Sequence, residues 1–220
     1  MVSTLLKTVG LYASLLPLLL GLFTFSRNHG AIRYLILLSL VACLTEFIGA
    51  YLAYHKTPNL FLFHLYPPIE FSIILTIYSL NMRSTVQPIA FLVAGVLFVL
   101  LSVANVLYIQ PLHVFNTHGR GLESFLVLCL AIGYAIQQLY RPEGVKARNK
   151  PMFWINTGIL IYFSTNMLLF YMSNYLIDNF SMAFNKFIWD FHAVVSFALY
   201  LFYTFAIYID WKKAKSPVLS

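Results

Sequence analysis

Charged residues are scarce in this sequence: Asp, Glu, Lys and Arg make up 10% of its 220 residues, where a soluble domain carries roughly 25%. So few cannot clothe a chain of this size in polar groups, and a mean hydropathy of +0.79 agrees. A soluble enzyme and a disordered chain are thereby excluded. Cysteine is nearly missing too. Cys43 and Cys129 both stand in apolar runs and form no CxxC pair, so a secreted disulfide scaffold or a zinc framework has nothing to rest on. Both thiols read as small buried apolar residues. Sharp catalytic signatures are absent: there is no HExxH, HxxxH, P-loop, GxSxG or kinase motif. The last apolar run, 187–209, holds no lysine, which excludes a retinal Schiff base. No run is rich in arginine, which excludes a voltage sensor.

Apolar sequence is what the chain has in abundance. Crossing about 30 Å of hydrocarbon takes about 20 helical residues. Seven runs qualify, at about 8–25, 31–54, 60–80, 88–108, 122–140, 151–177 and 186–209. The first run has only Lys7 before it and no small-x-small cleavage site, so it reads as a span rather than a signal peptide. Short connections such as Lys56-Thr57-Pro58-Asn59 separate the runs, and neither a long linker nor an internal repeat is visible. The expected fold is therefore all-α: a single domain over 1–220, a polytopic bundle of seven transmembrane helices.

The 14 Lys and Arg outnumber the seven acids and give a net charge of +7. On a soluble chain that balance would point to nucleic acid; beside membrane spans it marks topology, and no nucleic-acid partner is expected. Arg27, Arg33, Arg83, Arg141, Lys146, Arg148, Lys150, Lys212, Lys213 and Lys215 fall on one side, and Lys7, Lys56, Arg120 and Lys186 on the other. This bias predicts an external N-terminus and a cytoplasmic C-terminus, whose basic tail meets the anionic inner leaflet of the lipid bilayer.

Ionisable groups inside spans are costly to retain and therefore informative. Four acids qualify: Glu46, Glu70, Glu123 and Asp190. Glu46 lies roughly 10 Å below the outer surface on the second span. Glu70 stands near the midplane of the third, with Asn166 of the sixth at a matching depth. His64, Glu123, Asp190 and His192 lie closer to the outer ends. All these groups fall in the outer half or at the midplane, the distribution of an outward-opening polar pocket. Gly49, Ala50 and Ala53 share the stripe of Glu46 and turn it into the bundle. Pro67 and Pro68, between His64 and Glu70, remove backbone donors and free carbonyls. Asp190 and His192 are two residues apart, about 200° around a helix, so only one of them faces a shared pocket. The connection 110–121, with His113 and His118, is the longest on the outer side and is placed to cover such a pocket. Phe, Tyr and Trp read as lipid-facing, core and interface material, with Trp154 and Trp211 at the inner boundary and Trp189 at the outer one.

Three stretches, HLYPPIEF (64–71), PMFWINTGILIYFS (151–164) and FIWDFH (187–192), resemble a family of small bacterial seven-helix membrane proteins, typically encoded beside or fused to sensor histidine kinases. The resemblance implies a sensory or signalling role in the cytoplasmic membrane and a partner such as a histidine kinase, since this chain has no kinase domain. The leading expectation is a sensory or ligand-binding membrane protein. Its pocket uses Glu46, His64, Glu70 and Asn166, with Glu123, Asp190 and His192 towards the mouth. Such an acceptor-rich site suits a cationic, metallic or donor-rich ligand. A metal-assisted intramembrane hydrolase acting on a lipid or amphiphile, with Glu46, His64 and Glu70 as metal ligands, is the alternative, and a small-molecule transporter the third. No cofactor is assigned.

Overall fold

A computed structural model describes residues 12–82, 88–140 and 147–215. Among these residues the fold is all-α, with seven helices: α1 (Leu15–Thr24), α2 (Ala31–Tyr54), α3 (Leu62–Asn81), α4 (Pro88–Tyr108), α5 (Thr117–Tyr140), α6 (Pro151–Asn179) and α7 (Met182–Lys215). Five of them, α2, α4, α5, α6 and α7, are long and apolar enough to cross a membrane. The first expected span reaches back to residues 8–11, which lie outside the described residues, and α1 itself has 10 residues. α3 has 20 residues but is not among the five, because His64, Pro67, Pro68 and Glu70 dilute its apolar run.

The local causes are readable in the chain. Gly30 precedes α2 at φ 51°, a left-handed backbone that favours glycine and lets the chain reverse after α1. Pro151 opens α6 at a position where a missing N–H costs nothing. α5 starts five residues earlier than its apolar run suggests, because Asn116 caps it: the Gly119 N–H donates to Asn116 Oδ1 at 3.0 Å. Further along, a Cβ on Gly158 of α6 would stand 2.8 Å from Phe202 Cβ. Glycine is what lets α6 and α7 approach so closely.

Successive helices pack side by side, and α7 returns to close the ring against α1. α3 contacts α5 directly, which leaves α4 leaning on the outside, with 11% of its apolar stretch buried against 44% for α6. The connections α2–α3, α4–α5 and α6–α7 meet at one end. The end carrying the C-terminus gathers His29, Asn81, Gln138, Lys150 and Lys213. Large aliphatic side chains fill the half nearer the C-terminus, among them Leu35, Ile74, Ile77, Ile155, Ile159 and Ile207, all at most 1% exposed. The other half is hollow. Cys43 is buried as expected, but Cys129 is exposed on the outside of α5, where an apolar environment suits a thiol equally well.

Candidate functional site

The hollow is a cavity of about 150 Å³ between α2, α3, α5, α6 and α7. Its polar wall comes from Glu46 on α2, Glu70 on α3, Arg120 on α5, and His192 and Ser196 on α7. Tyr66, Tyr162, Phe170, Tyr200 and Tyr203 contribute aromatic surface. At the end opposite the C-terminus Phe63, Phe115 and Trp189 also line it. Their rings lie against one another, with centroids 4.9 Å apart for Phe63 and Phe115 and 5.6 Å for Phe115 and Trp189.

Phe115 belongs to the connection 109–116, and the proline pair of α3 helps to hold that connection down. Pro67 has no N–H to offer the carbonyl of Phe63, four residues back. Asn116 Nδ2 donates to that carbonyl instead, at 3.0 Å. Asn105 Nδ2 donates to Asn116 Oδ1 at 3.0 Å, and Gln110 Nε2 to Thr117 Oγ1 at 2.6 Å. His64 Nε2 lies 3.0 Å from the Val114 carbonyl, and Asn174 Nδ2 of α6 donates to the Phe115 carbonyl at 2.9 Å. α3 and α6 thus hold the connection through its backbone carbonyls, and the Asn116 and Gln110 side chains tie it to α3, α4 and α5.

An ion cluster forms one wall. Arg120 Nη1 donates to Glu70 Oε2 at 2.5 Å and to Glu123 Oε2 at 2.7 Å, and the arginine side chain is 6% exposed. Phe170 lies under the guanidinium at 4.4 Å and Tyr66 at 5.6 Å. Tyr66 Oη donates to the other Glu70 oxygen at 3.0 Å. Two carboxylates therefore share one guanidinium, with two aromatic rings beside it. Across the cavity, Tyr200 Oη donates to Glu46 Oε1 at 2.6 Å. Glu46 Oε2 and Tyr203 Oη are buried without a hydrogen-bond partner. Asn166, fully buried, donates through Nδ2 to the Tyr162 carbonyl at 2.8 Å, and its Oδ1 accepts from His192 Nδ1 at 2.8 Å. That contact leaves His192 Nε2 as an acceptor, 3.4 Å from Ser196 Oγ.

Three of the seven residues singled out from sequence, Glu46, Glu70 and His192, stand in the cavity wall. Asn166 stands behind His192 and orients it. Glu123 is not at the mouth: it is 0% exposed and sits behind Arg120, because α5 begins before it rather than at it. His64 is turned towards the Val114 carbonyl rather than into the cavity. Asp190 is half-buried and does not line it; α7 is helical throughout, so the 200° between Asp190 and His192 sends them to different faces. Trp189, expected in an interfacial belt, lines the cavity with the aromatic cluster. The largest surprise is Arg120, which is no loop cation but the hub of the buried ion cluster. Its spacing to Glu123 and Ser124, at +3 and +4, was the available signal. Glu46, His64 and Glu70 do not converge as a ligand set: among the described residues no group of three or more His, Cys, Asp or Glu could hold a metal ion. In comparisons with known proteins, the chain matches no family model, no curated protein and no solved structure.

Proposed function

We propose that this is a small-molecule-binding sensory protein of the bacterial cytoplasmic membrane, spanning the bilayer seven times with its N-terminus outside. The observation that carries the reading is the aromatic cavity that collects Glu46, Glu70 and His192 beneath a pinned connection. A small cavity of this kind, lined at its outer end by Phe63, Phe115 and Trp189, suits recognition of one small ligand more than passage of a stream of them. The orientation rests on the basic residues. Among the described residues Arg27, Arg33, Arg148, Lys150, Lys212, Lys213 and Lys215 lie at the C-terminal end and Lys56 and Lys186 at the other. With that end cytoplasmic, the cavity lies in the outer half, and α3 and α7 run from its wall to the inner face. Small displacements of these helices carry the signal to a cytoplasmic partner such as a histidine kinase, in line with the family resemblance.

The test is a thermal-unfolding screen in lipid nanodiscs with amines, acids and neutral compounds of at most about ten heavy atoms. Ala42 lines the cavity and is 3% exposed, so Ala42→Phe fills it. A ligand at a hundred times its Kd stabilises by about 2.7 kcal/mol. At least one class should raise the melting temperature of the wild type and leave Ala42→Phe unmoved. No shift with any class, or equal shifts in both proteins, overturns the binding reading.

A further inference from the structure

Building on the binding reading above, we infer that the cavity takes a small organic ammonium that carries no carboxylate. The argument begins with Glu46. Of the three carboxyls at or behind the wall, Glu70 and Glu123 share Arg120. No salt bridge to Glu46 is present among the described residues: the Tyr200 hydroxyl bonds its Oε1, and the neutral Ser14 hydroxyl lies within hydrogen-bonding reach of the carboxyl, so no positive charge faces it. Its second oxygen, Oε2, is buried and unpartnered. A buried carboxylate met only by neutral hydroxyls is costly unless a cation in the cavity offsets its charge.

The rest of the wall says what kind of donor fits. Tyr66, Tyr162, Phe170 and Tyr203 put aromatic rings around the space, and such rings attract an ammonium group. His192 Nε2 adds an acceptor on the same wall, and the unpartnered Tyr203 Oη can bond a polar group at the side of Leu199. A cavity of 150 Å³ is of the order that admits one benzene-sized molecule, so the ligand has roughly six heavy atoms. An added carboxylate on the ligand is disfavoured by charge. The single positive charge of Arg120 already faces two carboxylates, so a third would add repulsion from Glu46 and Glu70 that the one guanidinium does not offset.

Butylammonium, 1-butanol and norvaline share a short alkyl chain and differ in the charged groups, which makes them the probes. Thermal unfolding and Trp189 fluorescence report their binding to the full chain in nanodiscs. Butylammonium should raise the melting temperature of the wild type and bind at least about tenfold more tightly than butanol or norvaline. Glu46→Gln keeps an acceptor for Tyr200 and should lose that preference. Should Glu46→Gln not fold, Glu46→Asp, with the charge drawn back by one methylene, must weaken butylammonium by about tenfold. Butanol or norvaline binding as well as butylammonium overturns the ammonium assignment while the binding cavity stands. Silence from all three probes, with a different compound active in the screen against Ala42→Phe, likewise overturns it, whereas silence across the whole screen removes the cavity reading as well.

Discussion

Removing Arg120 should unfold this protein more readily than removing any other of its cations. The guanidinium side chain is 6% exposed and bonds both Glu70 and Glu123 through one nitrogen. Arg120→Ala strands Glu70 in the wall and Glu123 behind it, with no other lysine or arginine lining the cavity among the described residues, and strips the rings of Phe170 and Tyr66 of their cation. Breaking a buried pair in this way costs about 3–5 kcal/mol. An arginine in a solvated connection, as its position beside Gly119 and Gly121 suggests, would cost at most about 0.5 kcal/mol. At roughly 2–4 °C per kcal/mol for a chain of this length, the melting temperature in nanodiscs should fall by about 6–20 °C. Glu70→Gln alone should cost less, about 1–3 kcal/mol, because Arg120 keeps Glu123. Replacing all three groups together, Arg120→Met with Glu70→Gln and Glu123→Gln, should recover much of the loss. A cost for Arg120→Ala below about 1 kcal/mol, or strict additivity between Arg120→Ala and Glu70→Gln, would refute the cluster as described.

Two further substitutions probe the scaffold around the cavity. Gly158→Ala places a methyl 2.8 Å from Phe202 Cβ, which cannot rotate away, so α6 and α7 must separate; the expected loss is about 1–3 kcal/mol in thermal unfolding, and an unchanged melt would show that the helices do not meet there. Asn116→Ala leaves the Phe63 carbonyl and the Gly119 N–H without their partner, and leaves Asn105 Nδ2 only its longer bond to Gln110 Oε1, at 3.4 Å. It should cost about 2–3 kcal/mol and speed proteolysis within 109–116, and an unaltered cleavage rate would contradict the pinned connection.

Much of the cavity was legible from residue type and depth. Glu46 and Glu70 announce themselves because a span retains an acid only under constraint; the small-residue stripe was a poor guide, since Ala50 and Ala53 are exposed and Gly49 only half-buried, near the end of α2 where the helix outruns its neighbours. Arg120 escaped notice for a physical reason. Gly119 and Gly121 look like loop punctuation, yet Gly121 serves close packing: a Cβ there would lie 3.0 Å from Tyr171 Cδ2. That contact brings the first turn of α5 into the bundle and draws Arg120 inside. His64 shows the opposite failure. Its depth matches that of the pocket residues, but its ring is turned to a loop carbonyl, and nothing in composition or spacing specifies a rotation about the helix axis. The tyrosines of the wall were hidden by abundance: with 15 in the chain, none stands out until α6 and α7 bring Tyr162, Tyr200 and Tyr203 together.

One consequence of Asn116 concerns the order of events at the cavity. A single side chain bonds the carbonyl that Pro67 leaves free on α3 and caps the first turn of α5, four residues ahead of Arg120. If the connection swings away to admit a ligand, that cap is lost in the same movement, and the turn that presents the guanidinium to Glu70 and Glu123 is loosened. The cover of the cavity and the turn that carries its ion cluster are therefore joined through one side chain, and neither could shift without disturbing the other.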